Sequence, residues 1–202
     1  MNRITGYCVA IALLLLRPLP LHAGLTEDLI RAARERTRHH VVYDGRYMAI
    51  TYPMGDVPDD MGVCSDVIIR IYRRVGIDLQ VEVHRDMKAH FQAYPRIWGL
   101  SGPDPNIDHR RVPNLQVFFR RKGKELPVSD RAEDYRPGDL VTWRLPGNLP
   151  HIGMVVDRKS RDGKRFLIVH NIGRGPKMED MLFDFPITGH YRYPGSLRLL
   201  QR

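Results

Sequence analysis

The first half of the chain carries apolar residues at helical spacing. In segments 25–38 and 63–76 they recur every three or four positions, which is typical of amphipathic helices. Segment 84–94 is predicted as a third helix. Between the first two, residues 41–52 are predicted to be extended around a turn at Asp44-Gly45.

The second half changes to short apolar runs separated by Pro/Gly turns, as expected of strands. These runs are 139–144, 151–157, 165–171 and 190–194. Helices followed by an antiparallel meander predict an α+β fold, with helices packed on a small antiparallel sheet.

The N-terminal segment is apolar but short. Residues 4–16 carry no charge, follow Arg3, and fall short of the ~20 residues that span a membrane. We interpret 1–23 as a signal peptide cleaved near Ala23, with a retained anchor as the alternative. A periplasmic or secreted protein follows, with a single domain over 24–202 and no integral membrane segment after processing.

The overall composition is that of a globular protein, with 43% hydrophobic and 27% charged residues, which argues against disorder or a coiled coil. Lys+Arg number 32 against 23 Asp+Glu, a net charge of +9. This excess favours an anionic polymer of the cell envelope as partner. No nucleic-acid motif or phosphate-binding loop accompanies the charge, so we expect no nucleic-acid partner, no cofactor and no metal.

One cysteine stands where chemistry is possible. Cys8 lies in the predicted signal peptide, which leaves Cys64 as the remaining thiol. Cys64 lies at a predicted helix start, where backbone N–H groups and the helix dipole favour a thiolate. The alternative is a buried residue that acts as a small hydrophobe.

Two histidines fall at the ends of predicted neighbouring strands. His151 begins one and His170 ends the next, so antiparallel pairing would bring them to one sheet edge. His151 would then act as a base, and His170 would fix its tautomer and orientation through a hydrogen bond.

Four segments resemble the NlpC/P60 superfamily of papain-like cell-wall peptidases: VCSD at 63–66, RPGDLV at 136–141, HIGMV at 151–155 and FLIVH at 166–170. More narrowly, residues 104–115 resemble a YijF-type group of exported bacterial proteins. The resemblance implies a papain-like fold and a cysteine peptidase or amidase that cleaves amide bonds in peptidoglycan stem peptides through a thioester. It implies Cys64 as nucleophile, His151 as base and His170 as orienting residue, with Tyr52 near the active site.

The chain departs from that family at two positions beside the cysteine and in one long segment. Val63 replaces an Asp and Asp66 replaces a Gly, while 95–122 forms an insertion. The Asp66 carboxylate would oppose thiolate formation if it faced the sulfur, and would cap the helix if it faced away.

Within the insertion, the loop 104–111 has two interpretations. It would form a wall of the cleft, with His109, Arg110 and Arg111 contacting a substrate and the arginines pairing its carboxylates. Alternatively it is a rigid Pro/Asp turn that covers the sheet edge.

Two other functions stay open on the sequence. The same three residues would support an acyltransferase or lipid thioester chemistry. Asp66 and the missing acid at position 63 also fit a cell-wall-binding module without catalysis.

Overall fold

The computed structural model describes residues 21–194, and its four α-helices precede the six strands that follow Lys122. The helices are α1 (Leu21–Arg36), α2 (Cys64–Arg74), α3 (Leu79–His90) and α4 (Val112–Lys122), with a short 3-10 helix at Asp108–Arg110. Most of the predicted signal peptide, residues 1–20, lies outside the described residues. Over residues 21–194, no helix is long and apolar enough to cross a membrane.

The strands are β1 (Val42–Tyr43), β2 (Met61–Gly62), β3 (Lys124–Leu126), β4 (Leu140–Leu145), β5 (Leu149–Lys159), β6 (Phe166–His170), β7 (Lys177–Glu179) and β8 (Ile187–Arg192). Six of them form an antiparallel sheet in the order β3-β8-β4-β5-β6-β7. The predicted α+β fold, with helices packed on a small antiparallel sheet, is confirmed.

Alternating side chains of β5 contribute to two cores on opposite faces of the sheet. Ile152, Met154 and Val156 pack into the larger core, which contains the helices. Val155 points to the other face and packs with Trp143 in a smaller core. Since α2 is buried along most of its length and contacts β5, its first residue is fixed against the strand that carries His151.

The predicted turn at Asp44-Gly45 does not form a hairpin. Instead β1 pairs in parallel with β2, with Val42 opposite Met61 and Tyr43 opposite Gly62. The extended segment therefore finds its partner in the residues just before α2, which a local turn pattern does not indicate.

Two helices differ from the sequence prediction. α3 begins at Leu79, earlier than the predicted start at residue 84, because the Asp78 carboxylate accepts a hydrogen bond from the Gln80 backbone N–H at 3.1 Å. α4 lies inside the 95–122 segment and was not predicted. Pro113 stands in its first turn, a position where proline costs no hydrogen bond.

Candidate active site

The Cys64 sulfur lies at the junction between α2 and β5. Cys64 is the first residue of α2 and is 3% exposed. Its sulfur accepts a hydrogen bond from the backbone N–H of Ile152, the residue after His151. Tertiary packing of helix on sheet thus brings the thiol to the strand that carries the first predicted histidine.

Burial controls the charge of this thiol. It raises the pKa of Cys64 to about 11, and the nearby Asp66 carboxylate raises it further. The backbone N–H groups of Ser65 and Ile152 act in the opposite direction, as expected at a helix start, but they are outweighed. The backbone N–H groups at the helix start thus favour the thiolate as expected, but burial prevails, and the sulfur holds its proton at neutral pH.

The tyrosine that contacts the sulfur is Tyr43, whose hydroxyl hydrogen-bonds Cys64. The β1–β2 pairing places Tyr43 opposite Gly62, two residues before the cysteine. Tyr52, the tyrosine assigned to the site from the sequence, packs edge to face on His84, with ring centroids 5.1 Å apart. Both tyrosines belong to the same predicted extended segment, so only the strand pairing distinguishes them.

The structure brings the two predicted histidines together. Nε2 of His151 and Nδ1 of His170 lie 3.2 Å apart, and both residues are buried. Gly153 makes this approach possible, since a Cβ at that position would come within 3.1 Å of the His170 Cβ. Because Gly153 has no side chain, the His151 ring on β5 and the His170 ring on the antiparallel strand β6 can come into contact.

Both imidazoles are neutral at neutral pH. Burial lowers the pKa of His151 to about 3, and repulsion from His170 adds to the effect. Burial also lowers the pKa of His170, although Glu179 opposes this. A neutral imidazole has one N–H donor and one nitrogen acceptor, so the contact between the rings has a defined donor and acceptor.

A carboxylate that the sequence analysis missed completes the chain of contacts. Nε2 of His170 lies 3.0 Å from Oε2 of Glu179 on β7. Glu179 is opposite Ile168 in the β6–β7 ladder, which makes it a diagonal neighbour of His170 on one sheet face. A cavity of about 290 Å³ opens beside this pair, lined also by Ile172, Arg174, Lys177 and Phe185.

Asp66 caps α2 and is paired with Arg110. Its carboxylate accepts a hydrogen bond from the Val63 backbone N–H at 2.7 Å. It also accepts two from the Arg110 guanidinium, at 2.8 and 3.0 Å, with both side chains 2% exposed. Arg110 is therefore engaged inside the protein, and its placement gives no support to the predicted contact with a substrate carboxylate.

The other two loop residues are also held by the fold. His109 is 2% exposed, and burial lowers its pKa to about 3, with Arg110 adding to the effect. The Arg111 guanidinium lies 4.1 Å from the centre of the Trp98 ring and 3.1 Å from Oδ1 of Asp108. These contacts hold the loop within the fold, where its 3-10 helix packs on α2, α3 and α4.

No group of three or more His, Cys, Asp or Glu residues within the described part of the chain is arranged to hold a metal ion. The protein groups of the candidate site are a thiol, two imidazoles, a phenol, a carboxylate and the N–H groups of the helix start.

A family model described as a domain of unknown function, DUF1287, matches residues 30–193. The chain belongs to this family. It is also similar to a protein described as uncharacterized protein YijF from Escherichia coli strain K12. The two are 51% identical over 173 residues, which cover 86% of this chain and 84% of that protein.

Among solved structures, one similar chain is NlpC1 from Trichomonas vaginalis. The TM-score is 0.43 and the identity is 20%, with 82% of this chain covered. This chain spans 44% of the length of that one.

Proposed function

We propose that this protein is an exported cysteine peptidase or amidase of the NlpC/P60 type, which cleaves amide bonds in peptidoglycan stem peptides. The observation that carries the proposal is the placement of the Cys64 sulfur against the strand of His151, whose ring contacts that of His170. A thiol, a base and an orienting group are the parts that nucleophilic acyl transfer requires.

The reaction begins from the neutral thiol. As the sulfur attacks the carbonyl carbon of the amide, His151 takes the thiol proton, so that no free thiolate has to form in the buried site. The backbone N–H groups at the start of α2 are the donors available to the developing oxyanion.

The imidazolium of His151 then gives its proton to the leaving amine, the C–N bond breaks, and a thioester remains on Cys64. Water attacks the thioester while His151 accepts one of its protons. Breakage of the C–S bond releases a carboxylic acid product, and the proton on His151 returns to the sulfur. His170 holds the His151 ring throughout.

The net charge of +9 supports a negatively charged envelope polymer as the target. The apolar segment 4–16 supports export, and a periplasmic or secreted location is part of the proposal. The bond cleaved lies in a stem peptide, whose free carboxylates supply the negative charge.

One observation favours a second candidate, a cell-wall-binding module without catalysis. Burial holds the pKa of Cys64 near 11, well above that of a thiol poised for attack. In this candidate the protein binds peptidoglycan and Cys64 is a structural residue.

The test compares the purified protein with Cys64→Ala and His151→Asn on peptidoglycan sacculi. Released peptides are identified by mass, and protein bound to sacculi is measured by sedimentation. We expect hydrolysis by the wild-type protein only, and unchanged binding by all three. His40→Asn changes an exposed histidine and serves as the matched control.

Equal peptide release by wild type and Cys64→Ala would remove Cys64 as the nucleophile. Binding without release by the wild type would favour the binding module.

A further inference from the structure

Glu179 has a place in the contacts of the site that the proposed reaction does not yet use. It is half-exposed, with 49% of its side chain accessible, and one oxygen lies 3.0 Å from Nε2 of His170. The other ring nitrogen of His170 contacts His151 at 3.2 Å. The Glu179 carboxylate, the His170 ring and the His151 ring thus form a continuous series of contacts. The residue after His151, Ile152, bonds the Cys64 sulfur through its backbone N–H.

The Glu179 carboxylate determines which ring nitrogen carries the proton in each of the two histidines. A carboxylate oxygen accepts hydrogen bonds, so Nε2 of His170 must be the nitrogen that carries the N–H. In a neutral ring, Nδ1 of His170 is then an acceptor. His151 must donate to it from Nε2, which leaves the lone pair of His151 on Nδ1.

We infer that Glu179 is a positioning residue that fixes the tautomers of both His170 and His151, so that Nδ1 of His151 is the atom that accepts the thiol proton. This inference rests on the proposed function only in taking the Cys64 thiol as the source of the proton that His151 accepts. The tautomers themselves follow from the contacts among three side chains.

The lowered pKa of each histidine agrees with this arrangement, since each ring then carries one proton at neutral pH. The opposite arrangement would place an N–H on Nδ1 of His151 and a lone pair of His170 against the Glu179 carboxylate. Two acceptors would then face each other at 3.0 Å, which is unfavourable.

Glutamine at position 179 provides the sharp test, because it keeps the shape of glutamate but has both a donor and an acceptor. In Glu179→Gln, His170 can bond the amide in either tautomer, and the direction of the series is no longer fixed. Glu179→Asp keeps a carboxylate and should restore the tautomers in part. Glu133→Gln, which changes an exposed glutamate paired with Arg131, is the matched control.

The first measurement is the ¹⁵N spectrum of purified protein labelled at its histidines, which separates protonated from unprotonated ring nitrogens at pH 7. Signals are assigned with His151→Asn and His170→Asn. We expect unprotonated Nδ1 and protonated Nε2 for both residues in the wild type and in Glu133→Gln. In Glu179→Gln we expect mixed tautomers.

The second measurement is the steady-state kinetics of peptidoglycan hydrolysis. Glu179→Gln should lower kcat by about 10- to 100-fold and leave KM within about two-fold, since the base and not the binding surface is disturbed. Glu179→Asp should recover part of kcat.

A protonated Nδ1 on His151 in the wild type, or identical tautomers in wild type and Glu179→Gln, would overturn the inference whatever the activity. Fixed tautomers that become mixed in Glu179→Gln support it even if the wild type does not cleave peptidoglycan. These tautomer results without hydrolysis would count against the proposed peptidase activity and not against the role of Glu179.

Discussion

At the scale of single residues, the reactivity of Cys64 is governed by burial. A thiol reacts with alkylating agents as its thiolate, and the thiolate fraction rises tenfold per pH unit below the pKa. With a pKa of about 11, the folded protein should react slowly at neutral pH and progressively faster up to about pH 11.

This prediction is tested with iodoacetamide on protein carrying Cys8→Ala, in which Cys64 is the one remaining thiol. The same protein unfolded in urea is the control, and its rate should level off near the ordinary thiol pKa of about 8.5. A folded-state rate that levels off below pH 8 would show a thiolate already stabilised by the site.

At the scale of elements, the Asp66–Arg110 pair joins the start of α2 to the 3-10 helix of the insertion. Both side chains are 2% exposed, so removing one partner leaves a buried charge alone. Arg110→Met should lower the free energy of unfolding by about 3–5 kcal/mol, measured by urea denaturation. Adding Asp66→Asn removes that lone charge and should recover part of the loss.

The control for this prediction is Arg120→Met, which breaks the exposed pair with Glu125. An exposed pair contributes about 1 kcal/mol or less. Equal losses in Arg110→Met and Arg120→Met would show that the buried pair does not tie the insertion to α2.

The elements also show what the sequence could and could not predict. Cys64, His151 and His170 were selected because each stands at an end of an element whose hydrophobic period is clear. The sequence does not predict α4, although Val112, Leu115 and Phe119 have helical spacing. The polar loop that precedes α4 obscures where the helix begins.

Other parts of the site depend on pairing between distant segments. Tyr43 and Glu179 lie on strands of two and three residues, too short to show a period. Their positions follow from neighbours such as Gly62 and Ile168, which only the folded sheet supplies. The same holds for the thiol pKa, because burial is a property of the whole fold.

At the scale of the whole molecule, buried neutral histidines predict loss of stability in acid. The pKa values of His109 and His151 are about 3 in the folded protein, against 6.5 ordinarily. Below pH 6.5 the unfolded chain therefore binds more protons than the folded one. Their contribution to stability is complete above pH 6.5 and is lost as the pH falls toward 3.

Each such histidine should add a slope of up to about 1.4 kcal/mol per pH unit to the free energy of unfolding. Urea denaturation from pH 7 to pH 4 measures it. His109→Gln should reduce the slope by about one histidine's share, while His40→Gln, at an exposed position, should not. A flat profile over this range would contradict the neutral state of the buried rings.

The imidazole pair and its carboxylate come from consecutive strands, β5, β6 and β7, within one meander of the chain. The sulfur arrives from a helix more than 80 residues earlier in the sequence. The strands that carry these three side chains are neighbours along the chain and in the sheet, whereas Cys64 meets β5 only when the helices pack on the sheet. A mutation that loosens that packing should therefore move the thiol away from β5 while the contacts among His151, His170 and Glu179 remain.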